Sequence, residues 1–224
     1  MGADRKTAEA TKMKIYAAAA VLFEQKGIEN TTIRDICAEA NVSIGSFYHH
    51  FDGKDELLSI FSNKMDDMPK PIMRYLSSLD ISYYNRLLLF LILQVQNLKQ
   101  PKRLESAQRL MYLQLRNPQM RIFARSRAPY KSLLFLIQQC IEENSLHDVD
   151  DPKLLCDLLQ SALRGLWFDW GLSDHEYDVC KRMLCYTRLI LNRYICTDYE
   201  VPDDIIFDQA HQFVPERGRY DDIY

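Results

Sequence analysis

The stretch from Thr31 to Phe51 constrains the fold of this chain more than any other. Its pattern predicts two short helices that meet at a tight corner. Thr32 precedes the first helix, residues 33–40, and Asp35 comes three residues after Thr32, which is the spacing of a capping box. Asn41 stands at the corner, where asparagine tolerates the left-handed backbone that a sharp helix exit requires. A helix-turn-helix is therefore expected.

The second helix of this motif, residues 44–50, presents a surface suited to DNA. Ser43 supplies its N-terminal cap. The residues expected to remain exposed on it are Ile44, Gly45, Ser46, Tyr48, His49 and His50. That face carries no carboxylate, and it offers hydroxyls and imidazoles to phosphates. Glycine costs a helix about 1 kcal/mol relative to alanine, and close approach to a major groove would explain its presence here.

The first sixty residues resemble the TetR/AcrR family of bacterial transcriptional regulators. The shared pattern joins a Phe-x-x-x-Gly helix end to a small-x-Phe-Tyr-His-x-Phe helix at fixed spacing. The matching residues are Ala18, Ala19, Leu22, Phe23, Gly27, Thr31, Thr32, Ile36, Ala40, Val42, Ser43, Gly45, Ser46, Tyr48, His49, Phe51, Lys54, Leu57 and Leu58. Ile44 and His50 depart from residues often found in the family, which leaves the preferred DNA sequence open.

The resemblance implies a DNA-contacting surface in the first quarter of the chain. Thr32, Tyr48 and Lys54 would clamp the phosphate backbone, and Lys54 adds its charge at a helix N-terminus. The full set of expected contact residues is Thr31, Thr32, Ser43, Ile44, Gly45, Ser46, Tyr48, His49, His50 and Lys54.

Composition narrows the class of protein further. The 224 residues are 47% hydrophobic, which is enough for a sizeable core. No apolar run reaches the ~20 residues of a membrane span, and the N-terminus lacks an apolar signal region. A soluble, cytoplasmic protein is expected. The six cysteines form no zinc-ligand spacing, so buried reduced thiols are predicted, with no metal and no cofactor.

Two prolines, Pro69 and Pro71, interrupt the helical pattern and mark a domain joint. Residues 8–68 are predicted to form the helix-turn-helix domain, residues 72–196 a C-terminal helical domain, and residues 197–224 an acidic tail. The polar residues 1–11 are expected to be frayed or disordered. No alternating strand pattern occurs, so the fold class is all-α.

Aromatic residues in the C-terminal domain are candidates for an effector cavity, although such residues are more often plain core. The candidates are Tyr83, Phe90, Met111, Tyr112, Trp167 and Trp170, with Arg86 nearby. An arginine turned inward needs a partner to offset its desolvation, so an apolar anion is the expected effector. The resemblance supports this interpretation, because the family commonly binds small ligands in this region.

The last two long helices carry more apolar surface than docking onto their own domain requires. Paired across a two-fold axis, they would form a four-helix dimer interface. The residues expected in that interface are Leu155, Leu159, Ala162, Leu184, Ile190 and Leu191.

The function implied is that of a homodimeric repressor that binds a palindromic DNA operator and is released by a small molecule. A helical protein-interaction module that keeps the same fold without operator binding is the alternative. No nucleophile–base pair or phosphate-binding loop is legible, so catalysis is not expected. Asp174, His175, Glu176 and Asp178 are interpreted as acidic residues at a helix start rather than metal ligands.

Overall fold

The structure is a computed structural model, and it describes residues 2–27, 29–57, 65–67, 69–97, 99, 101–116, 123–173, 176–199 and 201–214. These residues form two compact units. The N-terminal unit comprises Met1–Lys64 together with Arg109–Ile122, and the C-terminal unit comprises Met65–Gln108 and Phe123–Pro215. Every element in the described ranges is helical apart from one isolated bridge between Leu146 and Ile195.

The N-terminal unit is built on three helices and the start of a fourth: α1 (Gly2–Lys26), α2 (Ile33–Ala40), α3 (Ile44–His50) and α4, described over 54–57. Their buried apolar residues include Ile15, Ala19, Phe23, Ile36, Phe47, Phe51 and Leu57. The expectation of a disordered start was wrong, because α1 begins at Gly2. Its first turns are rich in alanine, lysine, arginine and glutamate, which have high intrinsic helix propensity or tolerate the helix well.

The C-terminal unit surrounds one buried helix. Its elements are α5 (Pro69–Ser78), α6 (Tyr83–Asn97), α7 (Pro101–Arg116, whose second half belongs to the N-terminal unit), α8 (Ala128–Glu142), α9 (Pro152–Leu172), α10 (Val179–Leu191) and α11 (Asp203–Gln212). Helix α6 is buried on nearly all sides, and α5, α8, α9, α10 and α11 pack around it. Within the described residues, no helix has both the length and the apolar character needed to cross a membrane.

Part of the segment predicted as an acidic tail folds as α11. Ile206 and Ala210 are buried on its inner face. The Arg188 guanidinium pairs with Asp203 at 2.9 Å, and the Tyr75 hydroxyl donates to the Gln209 carbonyl at 2.6 Å. The acidic residues of this segment therefore lie outward on a helix that belongs to the C-terminal unit.

The N-terminus of α6 is capped by a side chain from elsewhere in the unit. Glu143, which follows α8, accepts hydrogen bonds from the backbone N–H groups of Tyr83 and Tyr84, both at 3.0 Å. The Ser145 hydroxyl donates to the same carboxylate at 2.6 Å. Two of the first N–H groups of the central helix thus depend on one carboxylate for their partners.

Glu143→Ala is therefore expected to lower the free energy of unfolding by about 2 kcal/mol, since it leaves helix-terminal donors unsatisfied. Thermal unfolding followed by circular dichroism measures this change. Glu142→Ala is the matched control, because Glu142 is exposed and bonds only to the side chain of nearby Gln139 among the contacts described. Equal melting temperatures for the two variants would contradict the capping role.

Candidate functional site

Short-range hydrogen bonds between side chains and the backbone cap the starts of α2 and α3, and the backbone turns sharply between them. The Asp35 N–H donates to the Thr32 hydroxyl at 3.1 Å, and the Thr32 N–H donates to the Asp35 carboxylate at 2.8 Å. Asn41 adopts the left-handed conformation, with φ of 51°. The Ser46 N–H donates to the Ser43 hydroxyl at 3.0 Å. These contacts confirm the predicted capping box, corner and second cap.

An ion pair reinforces the start of α2. The Lys26 ammonium lies 2.8 Å from the Asp35 carboxylate. This bond, followed by those from Thr32, holds the pKa of Asp35 well below its usual range. Because the folded-state pKa is depressed, the contribution to stability is present at neutral pH and is lost as the solution is acidified.

Helix α3 divides into a buried face and a solvent face. Phe47 is buried, and Phe51 directly after the helix is buried beside it. The Tyr48 side chain is 55% exposed and Ile44 is 44% exposed. Gly45 and His49 are also exposed, while Ser46 and His50 are half-buried. The solvent face of α3 thus displays the predicted residues without any carboxylate.

Two residues predicted to touch DNA are placed differently. Thr31 is buried, and its hydroxyl donates to the Gly27 carbonyl at 2.8 Å, so its side chain ties the turn to the end of α1. The Lys54 ammonium is half-buried and donates to the Thr31 carbonyl at 2.8 Å. Thr32 and Ser43 remain exposed while their hydroxyls act as caps. Thr31 is therefore a support for the surface rather than part of it.

The predicted effector residues do not form a uniform set. Phe90, Trp167 and Trp170 are buried, Tyr83 and Met111 are half-buried, and Tyr112 is 47% exposed. The Arg86 guanidinium donates to the Leu79 carbonyl at 2.9 Å and lies 4.6 Å from the centre of the Tyr83 ring. Its Nε atom is buried and finds no acceptor among the described residues, so the guanidinium is only partly satisfied and the anionic effector stays a prediction.

Sequence reasoning missed two buried glutamines in the C-terminal unit. Gln94 on α6 and Gln160 on α9 are each 8% exposed. The Nε2 atoms of both, and the Trp167 Nε1 atom, find no hydrogen-bond acceptor among the described residues. The signal was available, because each glutamine interrupts a run of leucines, isoleucines or other core residues.

The predicted dimer residues divide between the core and a surface groove. Leu155, Leu159, Leu184 and Leu191 are at most 2% exposed within the single chain, so their assignment to an interface was wrong. Helical periodicity places them on the inward stripe of α9 and α10. Ala162 and Ile190 instead line an open groove between these helices.

The groove has a volume of about 440 Å³ and is mostly apolar. Its walls are Ala162, Gly165, Leu166, Asp169, Tyr186, Leu189 and Ile190. The exposed apolar side chains on α9 and α10 are Leu154, Leu158, Phe168, Leu172 and Leu189. This groove, with the exposed apolar side chains beside it, is called the α9/α10 face below.

The group of acidic residues near α10 is only partly described. Asp174 and His175 lie outside the described residues. Asp178 is the N-cap of α10, where its carboxylate accepts from the N–H groups of Cys180 and Lys181 at 2.9 and 3.2 Å. The capping contacts give Asp178 a structural role.

Comparison with known proteins gives a consistent result. Residues 15–59 match the family model for bacterial regulatory proteins, tetR family. The probable acrEF/envCD operon repressor of Escherichia coli strain K12 is 23% identical over 218 residues, which span 94% of this chain and 96% of that protein. The HTH-type transcriptional repressor KstR2 of Mycobacterium tuberculosis is 28% identical over 158 residues, 65% of this chain and 72% of that one.

Solved structures show the same fold at low sequence identity. Thermus thermophilus FadR, a TetR-family transcriptional repressor in complex with lauroyl-CoA, has a TM-score of 0.65 at 18% identity and covers 85% of this chain and 98% of its own. The SmeT–triclosan complex has a TM-score of 0.59 at 20% identity and covers 87% and 96% of the two chains.

Proposed function

We propose that this chain, whose residues 15–59 match the model for bacterial regulatory proteins of the tetR family, is a DNA-binding transcriptional repressor of that family that a small molecule releases from its operator. The observation that carries the proposal is the solvent face of α3, which is free of carboxylates and held rigidly by caps at both helix starts. A helix presented in this way enters a major groove, with base edges near its N-terminus.

The residues of this surface divide into two roles. Tyr48, His49 and Thr32 are exposed and carry the polar atoms that reach phosphates, which set affinity without reading sequence. Ile44 and Gly45 lie at the start of α3, where an isoleucine packs on a thymine methyl. Lys54 positions the turn through the Thr31 carbonyl and adds positive charge beside it.

The repressor acts as a homodimer in this proposal. The α9/α10 face of one copy packs on the same face of a second copy, and the two α3 helices then read the two halves of a palindromic operator. The exposed leucines and the groove supply the apolar area that such an interface requires.

Release of DNA follows from effector binding in the C-terminal unit. A ligand held among α6, α7, α8 and α9 favours one arrangement of these helices. It releases DNA only if it binds the conformation that lacks DNA affinity more tightly than the DNA-binding conformation. The family and its relatives are regulators, and this chain is proposed to regulate transcription rather than to catalyse a reaction.

The test is a footprint on the DNA upstream of the protein's own gene, followed by two variants of α3. Tyr48→Phe is expected to weaken binding to the footprinted operator and to unrelated DNA alike, by roughly fivefold, because it removes a phosphate contact worth about 1 kcal/mol. Ile44→Ala is expected to change the preference between operators that differ at one base pair by about tenfold. Titrations by fluorescence anisotropy measure both effects.

Both side chains are more than two-fifths exposed, so neither variant should alter the melting temperature, which serves as the control. A protected site that neither variant affects would remove α3 from the interface. Failure to retain any DNA at moderate salt would favour the helical protein-interaction module instead.

A further inference from the structure

The two tryptophans of the chain differ in the state of their indole N–H groups. Both lie on α9, one turn apart. The Trp170 Nε1 donates to the Tyr177 carbonyl at 3.0 Å. The Trp167 Nε1 is buried, in a side chain only 7% exposed, and no described residue accepts its proton. A buried indole N–H normally has a partner, so this donor requires an explanation.

Gln160 lies two turns before Trp167 on the same edge of α9. Its amide is also buried, and its Nε2 has no acceptor among the described residues. Two unsatisfied donors therefore follow one edge of a single helix. Both groups are neutral, and neither depends on a charged side chain for its hydrogen bonding.

The neighbours of this edge are α7 and α8. Gln108 of α7 donates to the Trp167 carbonyl at 3.4 Å, and its amide occupies the space beside Gly171, where a Cβ would lie 1.9 Å from Nε2. One turn before Gln160 on the same edge, the Cys156 thiol donates to the Tyr130 carbonyl of α8 at 3.7 Å. The stretch of α9 that carries Gln160 and Trp167 thus contacts α8 just before Gln160 and α7 at the Trp167 carbonyl.

We propose that Trp167 and Gln160 are the polar seat of the effector, and that the effector is an uncharged apolar molecule whose carbonyl oxygen accepts from them. This rests on the proposed repressor function. Leu159 and Leu163 are buried on the same helix and suit an apolar body. A neutral carbonyl satisfies neutral donors without burying an uncompensated charge, whereas a carboxylate would require a cation.

The nearest cation among the described residues of α9 is Arg164, and the partners found for it are neutral groups. Arg164 donates to the Ser161 hydroxyl at 3.0 Å and lies 5.8 Å from the centre of the Phe123 ring. Arg86, the cation expected from the sequence, belongs to α6 and not to this edge of α9, and its guanidinium donates to the Leu79 carbonyl. Esters, lactones, ketones and amides accept from the two neutral donors without bringing a charge into the site, and on that ground we expect them to bind better than acids or amines.

The difference in hydrogen bonding between the two indole N–H groups allows a direct experiment. In heteronuclear NMR of the nitrogen-labelled protein, each indole N–H gives one resonance, assigned with the variants Trp167→Phe and Trp170→Phe. The probes are the methyl ester of naphthoic acid, naphthoate itself and naphthylmethylamine. The ester is expected to move the Trp167 resonance downfield and to leave the Trp170 resonance nearly in place, while the acid and the amine bind more weakly.

The two variants also form a matched pair for affinity. Trp167→Phe is expected to weaken ester binding about tenfold, the effect of one lost hydrogen bond, and Trp170→Phe to change it little. Stability should follow the opposite order, because only Trp170→Phe removes a bond within the chain. A smaller loss of melting temperature for Trp167→Phe than for Trp170→Phe shows that weaker binding is not caused by unfolding.

The outcomes separate this inference from the repressor function. An ester that binds or releases DNA with an unmoved Trp167 resonance overturns the seat and leaves the repressor intact. No binding of the ester, or preferred binding of the acid or amine, also overturns the seat. A shifted Trp167 resonance in a protein that retains no operator DNA supports the seat and contradicts the repressor.

Discussion

Leu189→Glu is expected to convert the protein to monomers and to lower its operator affinity by about a thousandfold or more, to the level of non-specific binding. The Leu189 side chain is 70% exposed in the single chain and forms part of the groove wall on the α9/α10 face. In a two-fold interface each subunit would bury one glutamate against a groove whose lining residues include Asp169 and no cation, which is strongly unfavourable. Light scattering measures the mass, and anisotropy titration measures the affinity.

Two further substitutions make this result specific to the interface. Val214→Glu introduces the same charge at an apolar residue that is 75% exposed but lies beyond α11, and it should leave the dimer unchanged. Leu191→Glu places the charge at a side chain with 0% exposure, so it should unfold the C-terminal unit rather than produce folded monomers. A folded dimer of Leu189→Glu with full operator affinity would move the interface elsewhere.

Gly45→Ala is expected to stabilise the free protein and to weaken operator binding by tenfold to a hundredfold, about 1–3 kcal/mol. A Cβ at this position would meet only the Ser43 hydroxyl at 3.8 Å, an ordinary contact, so the fold has room for it. Replacing glycine by alanine within a helix favours the helix by up to about 1 kcal/mol. The loss of affinity arises because the added methyl group stands between α3 and the floor of the groove.

Thermal unfolding and anisotropy titration on the same sample test the two halves of this prediction. Gly53→Ala is the control, because a Cβ there would meet nothing within 4 Å and the residue lies outside α3. That variant should bind the operator as the parent does. If Gly45→Ala keeps full affinity, a different surface of the N-terminal unit contacts DNA.

The helix-turn-helix was predictable because its determinants are local. A capping box spans four residues, and an asparagine in the left-handed conformation affects only its immediate neighbours. The residues around Thr32, Asn41 and Ser43 are therefore enough to predict both helix starts and the corner between the helices. The same is true of Gly27, which adopts φ of 80° directly after the last residue of α1. In each case the residues that determine the backbone conformation lie within one helical turn of the position that they affect.

Roles that depend on distant partners were not predictable in this way. Thr31 and Lys54 are 23 residues apart, and only folding brings the ammonium to the carbonyl. Arg86 was expected to face an effector, but it is held by the Leu79 carbonyl and the Tyr83 ring. The resemblance to a family supplied residue types for these positions, but it did not supply their partners.

The sequence by itself determined the all-helical class, the corner between α2 and α3 and the residues displayed on α3, because short-range spacing controls helix starts, ends and faces. Only the tertiary structure decided which apolar residues of α9 and α10 are core and which form the α9/α10 face, since both stripes look alike until neighbouring helices cover one of them. It also decided that the N–H of Trp170 has a partner while that of Trp167 finds none in the part of the chain that the structure describes. A hydrogen bond requires two atoms to meet, and the chain must fold before they do.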